Sequence, residues 1–180
     1  MAAIVLAAVV ALAPAARAGQ ADERLDVLFD RLKTTDSEVV AAALTRQIWV
    51  IWGHSASDVV NAFMARGVEA MSRRNYETAL AAFSKVVETE PNFAEGWNKR
   101  ATVHYLMGDY TASVQDVERT LTLEPRHFGA LSGLGLIYLT VGDDLAALKA
   151  FEAALTVNPY LPGARTHVDQ LRRRLRKNSI

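Results

Sequence analysis

The 180-residue sequence contains no cysteine. That absence excludes disulfides, thiolate chemistry, cysteine-ligated zinc and a lipid-modified cysteine at a processed N-terminus. An excess of charge of either sign is also missing. The 20 basic and 20 acidic residues cancel, so the overall field provides no pull toward nucleic acid. No Gly-x-Ser-x-Gly elbow, phosphate loop or dinucleotide fingerprint occurs. The histidines, His54, His104, His127 and His167, are never four residues apart and match no metal-ligand spacing. Ser132-Gly133-Leu134-Gly135 is glycine-rich, but no lysine follows it, and its glycines fall on a helix face. Asp143-Asp144 reads as a turn and a cap, and each histidine as a structural residue. No catalytic, cofactor or metal set emerges, and the chain is expected not to be an enzyme.

Long apolar runs are scarce as well. The one at Ala2–Ala13 falls short of the roughly 20 residues that span a bilayer core. Pro14 and then Ala16-Arg17-Ala18 follow it, which is the helix break and small-residue pattern of a signal-peptidase site. No Lys or Arg precedes the run. We expect residues 1–18 to be a signal peptide cleaved near Ala18, leaving a periplasmic protein. An uncleaved N-terminal membrane anchor is the alternative.

What is present is helix-forming material with a period. The 51% hydrophobic content is rich in Ala and Leu. Pro91, Pro125 and Pro159 are each separated by 34 residues. Other positions recur at fixed offsets before each proline: Gly67, Ala101 and Gly135; Arg74, Gly108 and Gly142; Ala79, Ser113 and Ala147; Phe83, Val117 and Phe151. In the third unit Leu131, Leu134, Gly135 and Tyr138 share one helical face. Gly142-Asp143 then turns the chain, with Asp able to cap the next helix, which carries Ala147, Leu148, Phe151, Ala154 and Leu155 on one side. Pro159 disfavours helix at Asn158 and ends the unit. Small residues at 67, 101 and 135 let two helices of a hairpin approach closely.

This pattern resembles the tetratricopeptide repeat (TPR), with further matches at Trp97 and Tyr138. The resemblance covers 60–93, 94–127 and 128–161 and implies an all-α solenoid of three helix hairpins. The stretch from Phe93 to Ala101 is similar to small exported bacterial TPR proteins. The sequence departs from the pattern at Arg66 and Arg100, at His104 and at Arg74, where Leu, Tyr and the turn Gly are usual. Long aliphatic stems with solvated heads are expected at the arginines. The family implies a concave groove lined by Asn61, Met64, Val68 and Met71, then Glu95, Asn98, Thr102 and Tyr105, then Gly129, Ser132, Leu136 and Leu139. Met64, Val68, Lys99, Gly129 and Gly133 stand where one subfamily holds a peptide carboxylate with Lys, Asn and Arg, so no such clamp is expected.

Flanking segments should cover the array's ends. Residues 19–58 contain one stripe at Leu25, Leu28, Phe29 and Leu32 and another at Val40, Leu44, Ile48, Ile51 and Trp52. The second helix should open at Asp36 with a Thr35–Glu38 capping box. We expect this pair to be a cap that packs like a repeat, as a degenerate fourth unit or otherwise. The protein's own N-terminal helices covering part of the groove is a competing arrangement. Residues 162–180 form a capping helix with Val168, Leu171 and Leu175 inward and a basic tail. Its Arg172, Arg173, Arg174, Arg176 and Lys177 suit a helix C-terminus, and also offer weak contact to an anionic membrane. The expected function is binding another protein or a peptide segment with apolar anchors, as a periplasmic adaptor or scaffold. The alternative is a peripheral membrane component held by the basic helix.

Overall fold

The computed structural model describes residues 19–177. The segment read as a signal peptide, 1–18, and the last residues of the tail, 178–180, lie outside them. After a 3-10 turn at Gly19–Ala21, the described residues form nine α-helices and no strand. These are α1 (Arg24–Thr34), α2 (Glu38–Trp52), α3 (Asp58–Ser72), α4 (Tyr76–Thr89), α5 (Ala94–Met107), α6 (Tyr110–Leu123), α7 (Phe128–Thr140), α8 (Asp144–Val157) and α9 (Pro162–Lys177). The fold is an all-α solenoid. Helices α3–α4, α5–α6 and α7–α8 are hairpins stacked in chain order, and α9 packs on α8.

Volume complementarity within each hairpin explains the repeating small residue. Gly67 faces Phe83, and a Cβ there would lie 2.5 Å from the ring; Gly135 faces Phe151 at 2.8 Å in the same way. In the middle hairpin Ala101 shares its core with Val117 instead. A larger first residue is thus matched by a smaller second one, which keeps the helices close-packed. The second helix of each hairpin starts on a side-chain cap: Asn75, Asp109 and Asp143 accept the backbone N–H of Thr78, Ala112 and Ala146 at 3.1, 3.0 and 2.9 Å. Each second helix ends on a non-helical residue, Glu90, Glu124 or Asn158, before its proline, the last two extended.

One expectation about the arginines, the solvated head of Arg100, changes, while Arg74 stays exposed. Arg74 adopts φ 58°, the left-handed turn conformation that Gly108 and Gly142 adopt at φ 82°. The head of Arg100 is not in solvent. It forms two 2.7 Å hydrogen bonds with the buried carboxylate of Asp116 and lies 4.8 Å over the Trp97 ring. His104, at the usual Tyr position, is 3.8 Å from that same carboxylate.

The N-terminal pair differs more from the expected cap. Its core residues, among them Leu25, Phe29, Leu44, Ile48 and Trp52, cluster with Phe128 of the third repeat, and Val157, Tyr160 and Leu161 pack beside them. Instead of stacking on α3–α4, the hairpin lies lengthwise against the turns between repeats. Gln20 donates to Asn92 O and accepts from Ala94 N at the first turn. Arg126 reaches Asp26 at 2.6 Å from the second. At the turn from the third repeat into α9, Asn158 donates to Thr45 at 3.1 Å, and the Tyr160 hydroxyl donates to Thr35 O. From Asp26 to Thr35 α1 advances roughly 13 Å at helical rise, of the order of the spacing of packed helices. The expected Thr35–Glu38 box does not form. Ser37 caps α2 by accepting from Val40 N, while the Thr35 hydroxyl is held by Ser37 N and its carbonyl by Tyr160.

At the other end α9 buries Ala164, Val168 and Leu171 against Ala147 and Phe151, with Leu175 half-buried and His167 stacked on Phe151 at 4.7 Å.

A left-handed non-glycine residue is strained by about 1 kcal/mol. Arg74 is exposed and its side chain has no role in the core, so Arg74→Gly should stabilise the chain by about 0.5 kcal/mol after the added unfolded-state entropy is counted. That corresponds to roughly 1–2 °C in Tm, readable by calorimetry against wild type. A drop of 2 °C would show that the turn is not strained.

Candidate functional site: the concave face and the hairpin beside it

The first helices of the three repeats, α3, α5 and α7, line two hollows. One, of about 730 Å³, lies between α2, α3 and α5 and includes Asn61, Met64, Val68 and Glu95. The other, of about 200 Å³, lies between α5 and α7 and includes Asn98, Thr102, Tyr105, Gly129, Ser132 and Leu136. Of the groove positions read from the sequence, Met71 and Leu139 line neither hollow. Met71 packs on the core of the first repeat, and Leu139 on that shared with α9. Val68 and Leu136 are the open apolar members, 48% and 36% exposed, whereas Met64 is buried. Asn61 is engaged by its own chain, accepting from Ser55 N at 2.9 Å and donating to Ser55 O at 2.7 Å.

Glu95 is the largest departure from an open groove residue. It is 2% exposed and sits beneath the N-terminal hairpin. Asn98 donates to its Oε2 at 2.8 Å, and the Lys99 ammonium lies 3.0 Å from its Oε1. The third partner is His127, fully buried at the N-cap of α7. Ala130 N donates to His127 Nδ1 at 3.0 Å, so the ring proton sits on Nε2, which donates to Glu95 Oε2 at 3.0 Å. Trp52 of α2 stacks on the imidazole at 4.2 Å and 12°. One histidine thereby caps a helix, neutralises a buried carboxylate's demand for donors and presents a flat face to the hairpin. A loop position for His127 gave no sign of this triple role.

Trp49 is the other residue that repeat-based reasoning missed. It meets His127, Phe128 and Trp52 edge-on at 5.3–5.5 Å, and the Lys99 ammonium lies 5.7 Å over its ring. A Cβ on Gly129 would fall 2.5 Å from the indole, so this supposed groove position is the seat of the protein's own tryptophan. The available signal was an aromatic one residue off the apolar stripe of α2. The hairpin thus occupies the inter-repeat end of the concave face, and the rest stays open. A third hollow, of about 1400 Å³, lies on the outer side of α1–α2, where Val27 and Val50 are exposed.

Among the basic residues of α9, Arg172 pairs with Glu152 at 2.7 Å and Arg174 with Asp144. His54 is exposed at the rim of the first hollow. Among the described residues no helix is long and apolar enough to cross a membrane.

Stacked helix hairpins with a curved face formed by the first helix of each define an α-solenoid of the helical-repeat class. Residues 64–119 and 98–162 match the family described as tetratricopeptide repeat. The chain belongs to that family. It is 36% identical over 156 residues to a TPR repeat-containing protein of Rhizobium etli, an alignment covering 87% of this chain and 76% of that one. It is 27% identical over 95 residues to small glutamine-rich tetratricopeptide repeat-containing protein 2 of Mycosarcoma maydis, covering 53% of this chain and 27% of the relative. Among solved structures, the Sgt2 TPR domain from Aspergillus fumigatus superimposes with TM-score 0.63 at 18% identity, over 68% of this chain and 83% of that domain. The first TPR of Spaghetti (RPAP3), bound to an HSP90 peptide, also gives 0.63, at 17% identity over 66% and 94%. At these identities the structural likeness establishes the fold.

The Glu95 network makes stability depend on pH. Burial pushes the carboxyl up, but His127, first through its hydrogen bond, and then Lys99 outweigh it and leave the group below the ordinary glutamate range. Its folded pKa is then lower than its unfolded one. The contribution is fully present above about pH 4.5 and is lost as pH falls through the folded value. Wild type should therefore lose urea resistance more steeply than Glu95→Gln between pH 5 and 3. Parallel slopes for the two chains would refute the assignment.

Proposed function

We propose that this protein is an exported, periplasmic adaptor that holds a partner polypeptide on its concave face. The observation that carries the reading is the contrast along that face. The hairpin closes the inter-repeat end with tightly packed aromatics, whereas Val68 and Leu136 stay open beside two hollows. Uncovered apolar side chains in a concave setting are what a guest segment needs for anchorage. The apolar leader in 1–18 supports export. TPR arrays are interaction modules, and the structural neighbour that carries an HSP90 peptide supports a peptide-like guest in kind. The family gives no support for catalysis.

A membrane-held component remains the second reading, motivated by Arg173, Arg176 and Lys177 on α9. Arg172 and Arg174 of the same basic cluster already have acidic partners on α8, which weakens it. Co-sedimentation with vesicles of 30% anionic lipid should leave the chain in the supernatant at 150 mM salt. Pelleting that disappears at 500 mM salt would favour the membrane reading.

Because Met64 is buried, the groove is best tested at its open residues. Val68→Glu with Leu136→Glu should reduce partner recovery from crosslinked envelope extract at least tenfold, while the circular-dichroism melt stays within about 2 °C of wild type. Undiminished recovery by the folded double variant would remove the concave face from the binding site.

A further inference from the structure

We propose that the guest is an uncharged, extended segment that places two apolar side chains three residues apart, one in each hollow of the concave face. This rests on the groove reading above and names the chemistry of what the groove takes.

The first argument is charge. Of the residues bordering the larger hollow, Lys99 and Glu95 are paired with each other, and Glu69 is paired with Arg73 at 2.8 Å. The smaller hollow is bordered by no acidic or basic residue. An acidic guest would find its cation already held by Glu95, and a basic guest would find the carboxylates already satisfied. Either would lose hydration without gaining a partner. A neutral guest matches the neutral groove.

The second argument is the division of the apolar surface. Trp49, Met64 and Val68 form one seat, and Leu136, Ile137 and Ala101 the other, with the crest of α5 between them. Trp49 comes from outside the repeats, so the hairpin supplies part of the first seat. Adjacent packed helices lie roughly 10 Å apart, which sets a similar interval between the seats. A polyproline-II segment rises about 3.1 Å per residue with three residues per turn, so side chains three apart share a face at nearly that interval.

The third argument is the polar wall that α5 gives the second hollow. Thr102 donates to Asn98 O and the Tyr105 hydroxyl donates at 3.2 Å to Thr140, whose own proton goes to Leu136 O, so the Thr102 and Tyr105 oxygens are free to accept. Hydroxyls on the α5 wall of the second hollow suit a guest whose backbone N–H groups are unpaired. A helix satisfies its own and gains nothing there.

The test is a fluorescein-labelled octapeptide panel read by anisotropy against the chain beginning at Gly19. Two Leu, Met or Phe anchors stand two, three or four residues apart in a Ser/Gln/Pro background. Parallel sets replace the flanks with Glu or Lys, and the acidic peptide SRMEEVD is included. Expected are strongest binding for neutral peptides at spacing three, at least tenfold above SRMEEVD, unchanged in 500 mM salt and lost in Leu136→Glu. Preference for acidic or basic members, or equal binding at all spacings, would overturn the proposal and leave the groove itself standing. No binding by any member overturns it as well; if Val68→Glu with Leu136→Glu also spares partner recovery, the functional reading fails with it.

Discussion

The stack of Trp52 on His127, with Phe128 and Trp49 alongside, is the contact on which the rest of the molecule depends. It joins the N-terminal hairpin to the turn between the second and third repeats, and it buries the imidazole that holds Glu95. Emptying one such aromatic position costs about 3–5 kcal/mol. Each polar tie at the neighbouring turns contributes nearer 1 kcal/mol. Apolar burial therefore decides that the hairpin docks, and the Gln20, Arg126, Asn158 and Tyr160 bonds decide its register along the turns.

That docking has two consequences. A repeat array is held together mainly by nearest-neighbour contacts, so its curvature is soft unless something spans several units. A hairpin that touches both inter-repeat turns and the turn into α9 is such a span. It also removes part of the concave face from solvent. Glu95, Asn98 and Gly129, which the repeat pattern alone assigns to the groove, are committed to internal contacts. The groove left over is shorter, neutral and partly walled by a residue outside the repeats.

Much of the fold was legible because each repeat is a local device. Gly67 with Phe83, the Asp143 cap and the proline after each second helix act within about 34 residues, and their recurrence amplifies a weak signal into a strong one. The candidate site was legible only where it belongs to a single helix face, as at Val68 and Leu136. Arg100 reads as a solvated arginine until Asp116, sixteen residues away on the partner helix, is brought against it. His127 reads as a loop residue until Trp52 arrives from 75 positions earlier in the chain.

By itself the sequence determined the period, the helix ends and the small-against-large pairing inside each hairpin. Those depend on backbone preferences and on side chains close in the chain. Only the tertiary structure decided where α1–α2 lies, which groove positions stay open and which charges are already paired. These depend on surfaces that form only when distant segments pack, and an amphipathic stripe specifies that a face is buried without specifying against what.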